Sequence, residues 1–83
     1  MTTTEQTIFF NPVYDRAKSF YQKAYYKYID YLNCIYLYSY NTHVLTYDRE
    51  KKAFEDVYYS HHSRTTDRHI REFKKQIENH IIQ

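Results

Sequence analysis

Four cationic residues, Arg64, Arg68, Arg71 and Lys75, recur at i, i+4, i+7 and i+11 in the last third of the chain. On a helix that spacing makes one basic stripe. Guanidinium groups in three of its four places suit the two-pronged recognition of phosphate or carboxylate oxygens. Just before and within this stretch stand His61, His62 and His69, with His43 and His80 elsewhere. Adjacent histidines followed seven residues later by a third match no common zinc spacing, so a boundary histidine hydrogen-bonded to the sheet is the expectation for His69, and no metal is expected. Ser60, Ser63, Thr65 and Thr66 beside these histidines could be drawn as nucleophile and base, but a hydroxyl-rich helix start accounts for the same residues. Cys34 has no glycine loop beside it to build an oxyanion site. With no glycine anywhere in the chain, a phosphate-cradling loop has no backbone to form from. No cofactor is implied, and the expectation is a protein that is not an enzyme.

Tyrosine is the other chemically expressive residue, with 12 in 83 positions. Each ring brings apolar area together with a hydroxyl that needs a partner, so many should sit at a core boundary or on a surface made for recognition. Tyr36, Tyr38 and Tyr40 alternate with Ile35, Leu37 and Ser39, which on a strand puts the tyrosines on one face. A net charge of +2 is too small to declare a nucleic-acid binder and argues against a strongly acidic surface. The single Cys34 excludes an internal disulfide, residues 1–12 lack the pattern of a signal peptide, and no stretch approaches a membrane span. The expectation is a cytoplasmic protein with no membrane partner.

The elements that must position these side chains follow from pattern. Residues 34–48 are rich in aromatic and β-branched residues, with a break at Asn41-Thr42, which predicts two strands or one bent strand. Asp48 to Lys52 is a charged turn, and Ala53 to Tyr59 a third short strand with Phe54 and Tyr58 as its main apolar positions. A helix is predicted from about residue 65 to 81. It has Thr65 or Thr66 as its cap, Asp67 in the first turn, and Ile70, Phe73, Ile77 and Ile81 on the core face. Without glycine, positive φ angles should fall to Asn or Asp or be avoided by longer loops, with Asp30 to Asn33, Asn41-Thr42 and Asp48 to Lys52 as candidate turns. Residues 1–12 read as a flexible arm until Ile8-Phe9-Phe10 meets an apolar surface, and 13–83 as one small domain. Residues 13–29 are ambiguous: Val13, Ala17, Phe20, Tyr21, Ala24, Tyr25, Tyr28 and Ile29 fit an amphipathic helix, whereas the tyrosine enrichment of 20–31 fits a strand.

Three segments carry a resemblance: Ser19-Phe20-Tyr21-Gln22-Lys23-Ala24, Leu37 to Val44, and Tyr59-Ser60 with Thr65 to Gln76. In this order they resemble a family of short proteins of unknown function from phages and mobile elements of Gram-positive bacteria. That pattern has a glycine where Gln22 stands and a glycine turn near Asn33. The resemblance implies a small antiparallel sheet closed by the C-terminal helix, and so a strand rather than a helix over 19–30.

The expected fold is therefore α+β, with three or four antiparallel strands between about residues 19 and 60 packed on one helix. The expected function is recognition of a host or viral protein, with inhibition of a host defence nuclease, as anti-CRISPR proteins do, as one form that the resemblance implies. The alternative is a nucleic-acid-binding accessory protein. The candidate contact residues are Arg64, Arg68, Arg71, Lys75, Tyr36, Tyr38 and Tyr40. Self-association through the sheet face or edge is compatible with either.

Overall fold

A computed structural model describes residues 6–57 and 63–82. Five strands, β1 (Thr7–Phe9), β2 (Ala24–Ile29), β3 (Cys34–Ser39), β4 (Thr42–Asp48) and β5 (Ala53–Asp56), are followed by one helix, α1 (Arg64–Glu78). The strands form a single antiparallel meander in chain order, and α1 packs across one face, so the expected α+β architecture stands with five strands instead of three or four. The additional strand is β1, which lies within the stretch read as an arm. Ile8 packs against the core and Phe10 is buried in it. Tyr58 and Tyr59, expected to end the last strand, lie outside the described residues, as do Ser60, His61 and His62.

The conflict over residues 13–29 resolves in favour of the sheet. Ala24, Tyr26 and Tyr28 alternate with Tyr25 and Lys27, so the residues that mimic a helical face also satisfy a period of two. As β2 they gain hydrogen-bonded neighbours on both sides, Thr7 to Phe9 and Cys34 to Ser39. Tyr21 and Gln22 then adopt left-handed backbone angles (φ 52° and 62°), which no right-handed helix can contain.

Seven non-glycine residues have positive φ among the described residues: Tyr21, Gln22, Asn33, Tyr40, Asn41, Lys52 and His80. Only Asn33 and Asn41 match the expectation that Asn or Asp would fill such positions. Gln22 and Asn33 are the two places where the resemblance pointed to glycine. The backbone geometry is therefore kept here by residues that pay a steric cost of about 1–2 kcal/mol in that region, less for Asn. Tyr40-Asn41 close the β3–β4 hairpin with both φ positive, the geometry that suits the twist of a two-residue turn.

The core lies between the sheet's inner face and α1. Tyr26, Ile35, Leu37, Val44 and Leu45 come from the sheet and Phe73, Ile77 and Ile82 from the C-terminal segment, with Phe10 and Phe20 joining from the β1–β2 connection. Val44 and Leu45 are both buried because the β3–β4 register shifts at Leu37/Tyr38, where a bulge turns consecutive side chains inward.

The helix is rotated from the face its apolar residues define. Its buried side chains are Thr66, His69, Glu72, Phe73, Gln76 and Ile77, while Ile70 is only partly buried. Ile81 is 49% exposed and Ile82 takes the core position instead. The helix ends at Glu78, His80 takes a left-handed conformation, and the N–H groups of Ile81 and Ile82 both turn back to the Gln76 carbonyl. Helical phase cannot be carried past such a cap. At the other end Ser63, not Thr65 or Thr66, is the N-cap, its Oγ accepting the Thr66 N–H at 3.1 Å.

Candidate recognition surfaces

The polar half of the buried helix face has a specific task. The Glu72 carboxylate accepts the backbone N–H groups of Val13 (2.9 Å), Tyr14 (3.0 Å to the nearer oxygen) and Asp15 (2.8 Å). Gln76 Nε2 donates to the same carboxylate and, at 2.9 Å, to the Asn11 carbonyl. The β1–β2 connection is thereby laid across α1, anchored at its two ends by Phe10 and Phe20, whose rings meet edge to face at 5.5 Å. Arg68 adds an ion pair to Asp15 from the exposed side. That guanidinium, with the Ala17 N–H as a second donor, holds the Asp15 carboxyl well below the usual carboxylate range.

A second buried node ties α1 to β3. Ser39 Oγ is 2.8 Å from His69 Nδ1 and 3.0 Å from Thr66 Oγ1, which in turn receives a hydrogen bond from the Ser63 hydroxyl. The His69 ring meets Phe20 edge to face at 4.5 Å, and burial, reinforced by the Arg68 charge, lowers its pKa. Among the described residues the serine–histidine pairing is thus Ser39 with His69, and this histidine is bonded to the sheet as expected but buried in the core instead of standing at its boundary. Ser39 is 2% and His69 1% exposed, so the hydroxyl has no opening through which to meet a substrate. Cys34 fares no better as a nucleophile: burial first, then the charges of Asp48 and Glu55, push its thiol pKa up, and its Sγ donates to the Leu32 carbonyl. No group of three metal-ligating side chains comes together among the described residues.

The candidate contact residues divide between two layers. Arg68, Arg71 and Lys75 line a groove of about 360 Å³ between α1 and the β1–β2 connection, joined there by Arg16 and Tyr14, which the sequence did not single out. Arg64, at the first position of α1, is exposed and not part of that groove.

Tyr36 and Tyr38 lie on the opposite face of the sheet. There the strand register lines up a continuous row of rings: Phe9 edge-on to Tyr25 (5.5 Å), Tyr25 stacked on Tyr38 (5.0 Å, 6° between planes), Tyr38 against His43 (5.3 Å), and His43 stacked on Tyr36 (4.1 Å). Lys27 sits with its ammonium 5.2 Å from the Tyr38 ring. His43 is pinned by the Leu45 carbonyl, to which Nε2–H donates at 3.1 Å, and burial lowers its pKa. No described element covers this face.

Tyr40 departs from the ladder expected of it. Its place in the hairpin turn breaks the alternation, and its ring lies 5.9 Å from that of His69 on the helix side of the sheet. Conversely Phe9, Tyr25 and His43 belong to the ladder and were missed. Tyr25 faces Tyr38 and Phe9 faces Tyr25 only once the register is known, and nothing in any one strand reveals it.

The described residues include no helix long and apolar enough to cross a membrane. No curated protein and no solved structure shows a significant match to this chain. The model of a family of unknown function, DUF8033, matches residues 9–82, which takes in every strand but the start of β1 and the whole helix, and the chain belongs to that family.

Proposed function

We propose that this is a non-enzymatic recognition protein that binds another protein through the open face of its sheet. The observation that carries this is the five-ring ladder from Phe9 to Tyr36 on a face that the helix leaves bare. Stacked rings on paired strands are rigid before any partner arrives, so little side-chain entropy remains to be lost on binding. The register gives this face Lys27, Asp48 and Glu55 with Thr7 and Thr46 around the rings, so both signs of charge are present and no run of cations. Protein interfaces have that composition, rich in tyrosine and poor in net charge at the centre, whereas a phosphate backbone calls for a run of cations. The basic stripe lies on the other layer, so one nucleic-acid strand could not stack on the ladder and meet the stripe together. The resemblance to phage and mobile-element proteins supports a host or viral protein as partner, with inhibition of a host defence nuclease as one concrete form.

Affinity capture from a bacterial host, run in parallel with wild type, Tyr38→Lys and Arg71→Glu, tests this assignment. Wild type and Arg71→Glu should enrich the same protein and Tyr38→Lys should lose it. Enrichment unaffected by Tyr38→Lys, or a concentration-dependent dimer that depends on Tyr38 with no captured partner, would remove it. A second reading, contact of the helix face with nucleic acid, draws support from Arg71 and Lys75 lying together on the exposed side of α1. It requires oligonucleotide binding that weakens steeply with salt and is lost in Arg71→Glu.

A further inference from the structure

The groove between α1 and the β1–β2 connection is a separate feature from the ladder, and its construction is specific. Its two carboxylates are both committed to building its walls: Glu72 is capped by three backbone N–H groups, and Asp15 is taken by Arg68 and by the Ala17 N–H at 2.9 Å. Three further cations border the same space, Arg16 from the connection and Arg71 and Lys75 from the helix. Neither Arg16 nor Arg71 has an ion pair among the described residues. Tyr14 supplies an aromatic wall, 44% exposed, with the Lys75 ammonium 6.0 Å from its ring centre.

We propose that this groove binds a phosphate monoester carried on a small molecule, with Arg16 and Arg71 contacting the phosphate oxygens from opposite walls and Lys75 adding charge beside the Tyr14 ring. Cations on a helix face are ordinarily just solvated. Here they border a concavity, and a loop held down by Glu72 brings a guanidinium from the far side. Guanidinium pairs match the oxygens of a tetrahedral anion. At about 360 Å³ the space is within the lower range of ligand sites, on the scale of a nucleoside monophosphate. A dianion gains from all three cations at one point, whereas a diester strand spreads one charge per residue along its length. The chemistry therefore favours the monoester.

Titration of the isotopically labelled full chain, followed by amide and guanidinium chemical shifts at constant ionic strength, tests this. The probes are adenosine monophosphate, inorganic phosphate, adenosine, and a single-stranded oligonucleotide without a terminal phosphate. Adenosine monophosphate should shift Tyr14, Arg16, Arg71 and Lys75 first. Inorganic phosphate should bind the same residues more weakly, for want of a contact with Tyr14, and adenosine should not bind. Arg71→Gln and Arg16→Gln should each weaken binding about tenfold, the scale of one charge-assisted hydrogen bond, while Lys51→Gln in the remote β4–β5 turn leaves it unchanged. Shifts spread evenly over all lysines and arginines, an oligonucleotide that binds as well as the monoester, or undiminished binding in Arg71→Gln would each overturn the proposal. Both substitutions are at exposed positions, and Arg16 lies outside the helix, so the Arg16→Gln arm stands even if Arg71→Gln perturbs α1. Neither touches the ladder, so failure here and failure of the sheet-face assignment are read independently.

Discussion

Glu72 Oε2 accepts the Val13 backbone N–H at 2.9 Å across 59 positions of sequence, and the same carboxylate takes the next two N–H groups of the chain. One helix side chain thus replaces the hydrogen-bond partners that a regular element would have given this segment. Glu72→Ala should therefore cost about 3 kcal/mol, read from the urea midpoint, because several part-buried donors lose their acceptor at once. Hydrogen exchange at Val13, Tyr14 and Asp15 should accelerate more than exchange in β3. Equal acceleration throughout would show that the clamp is not local.

The rotation of α1 makes a paired prediction. Phe73→Ala should destabilise by about 3–5 kcal/mol, enough to unfold much of so small a domain, because it empties the centre of the core. Ile81→Ala should stay within about 0.5 kcal/mol, since that side chain is half exposed. A large loss at Ile81 would restore the face that periodicity alone defines.

His69 and His43 both have pKa values lowered mainly by burial. The unfolded chain then binds protons near the ordinary histidine pKa of about 6.5 while the folded chain does not. Stability should be fully present above that value and fall as pH drops from 7 to 5. His69→Gln, which keeps a hydrogen-bonding side chain near Ser39, should be less stable at pH 7 but have a flatter slope over that range. An unchanged slope would assign the acid sensitivity elsewhere.

Gln22 holds a left-handed backbone conformation without being glycine or asparagine. Gln22→Gly should raise stability by about 0.5 kcal/mol, relief of strain outweighing the added freedom of the unfolded chain, and Asn33→Gly should be nearly neutral. Destabilisation by Gln22→Gly would mean that the side chain makes a contact worth more than the strain.

Tyr38 stacks between Tyr25 and His43, so Tyr38→Ser should cost about 1 kcal/mol in stability, on the scale of aromatic and cross-strand pairs, while abolishing partner capture. Capture retained in a folded Tyr38→Ser variant would place the binding surface elsewhere.

Local chemistry was sufficient for much of this fold. Tyrosine-rich alternation marked β3 and β4, the turns at Asn33 and Asn41 were legible from their asparagines, and Ser63 to Gln76 announced a capped helix with a basic outer side. The sequence determined these because caps, turns and strand faces depend on residues within a few positions of one another. Tertiary structure decided the rest. Residues 24–29 fit both a helix and a strand, and only pairing with β1 and β3 chose between them. The helix buried Glu72 and Gln76 beside Phe73 and Ile77 because a distant loop supplies their hydrogen-bond partners, and the rings of Phe9, Tyr25, Tyr38, His43 and Tyr36 became one surface through register across four strands. The basic stripe and the pair Tyr36 and Tyr38, which looked combinable, were sent to opposite layers by the packing of α1 on a single face. Contacts between residues far apart in the chain carry no local periodicity, so they appear only when the chain has folded.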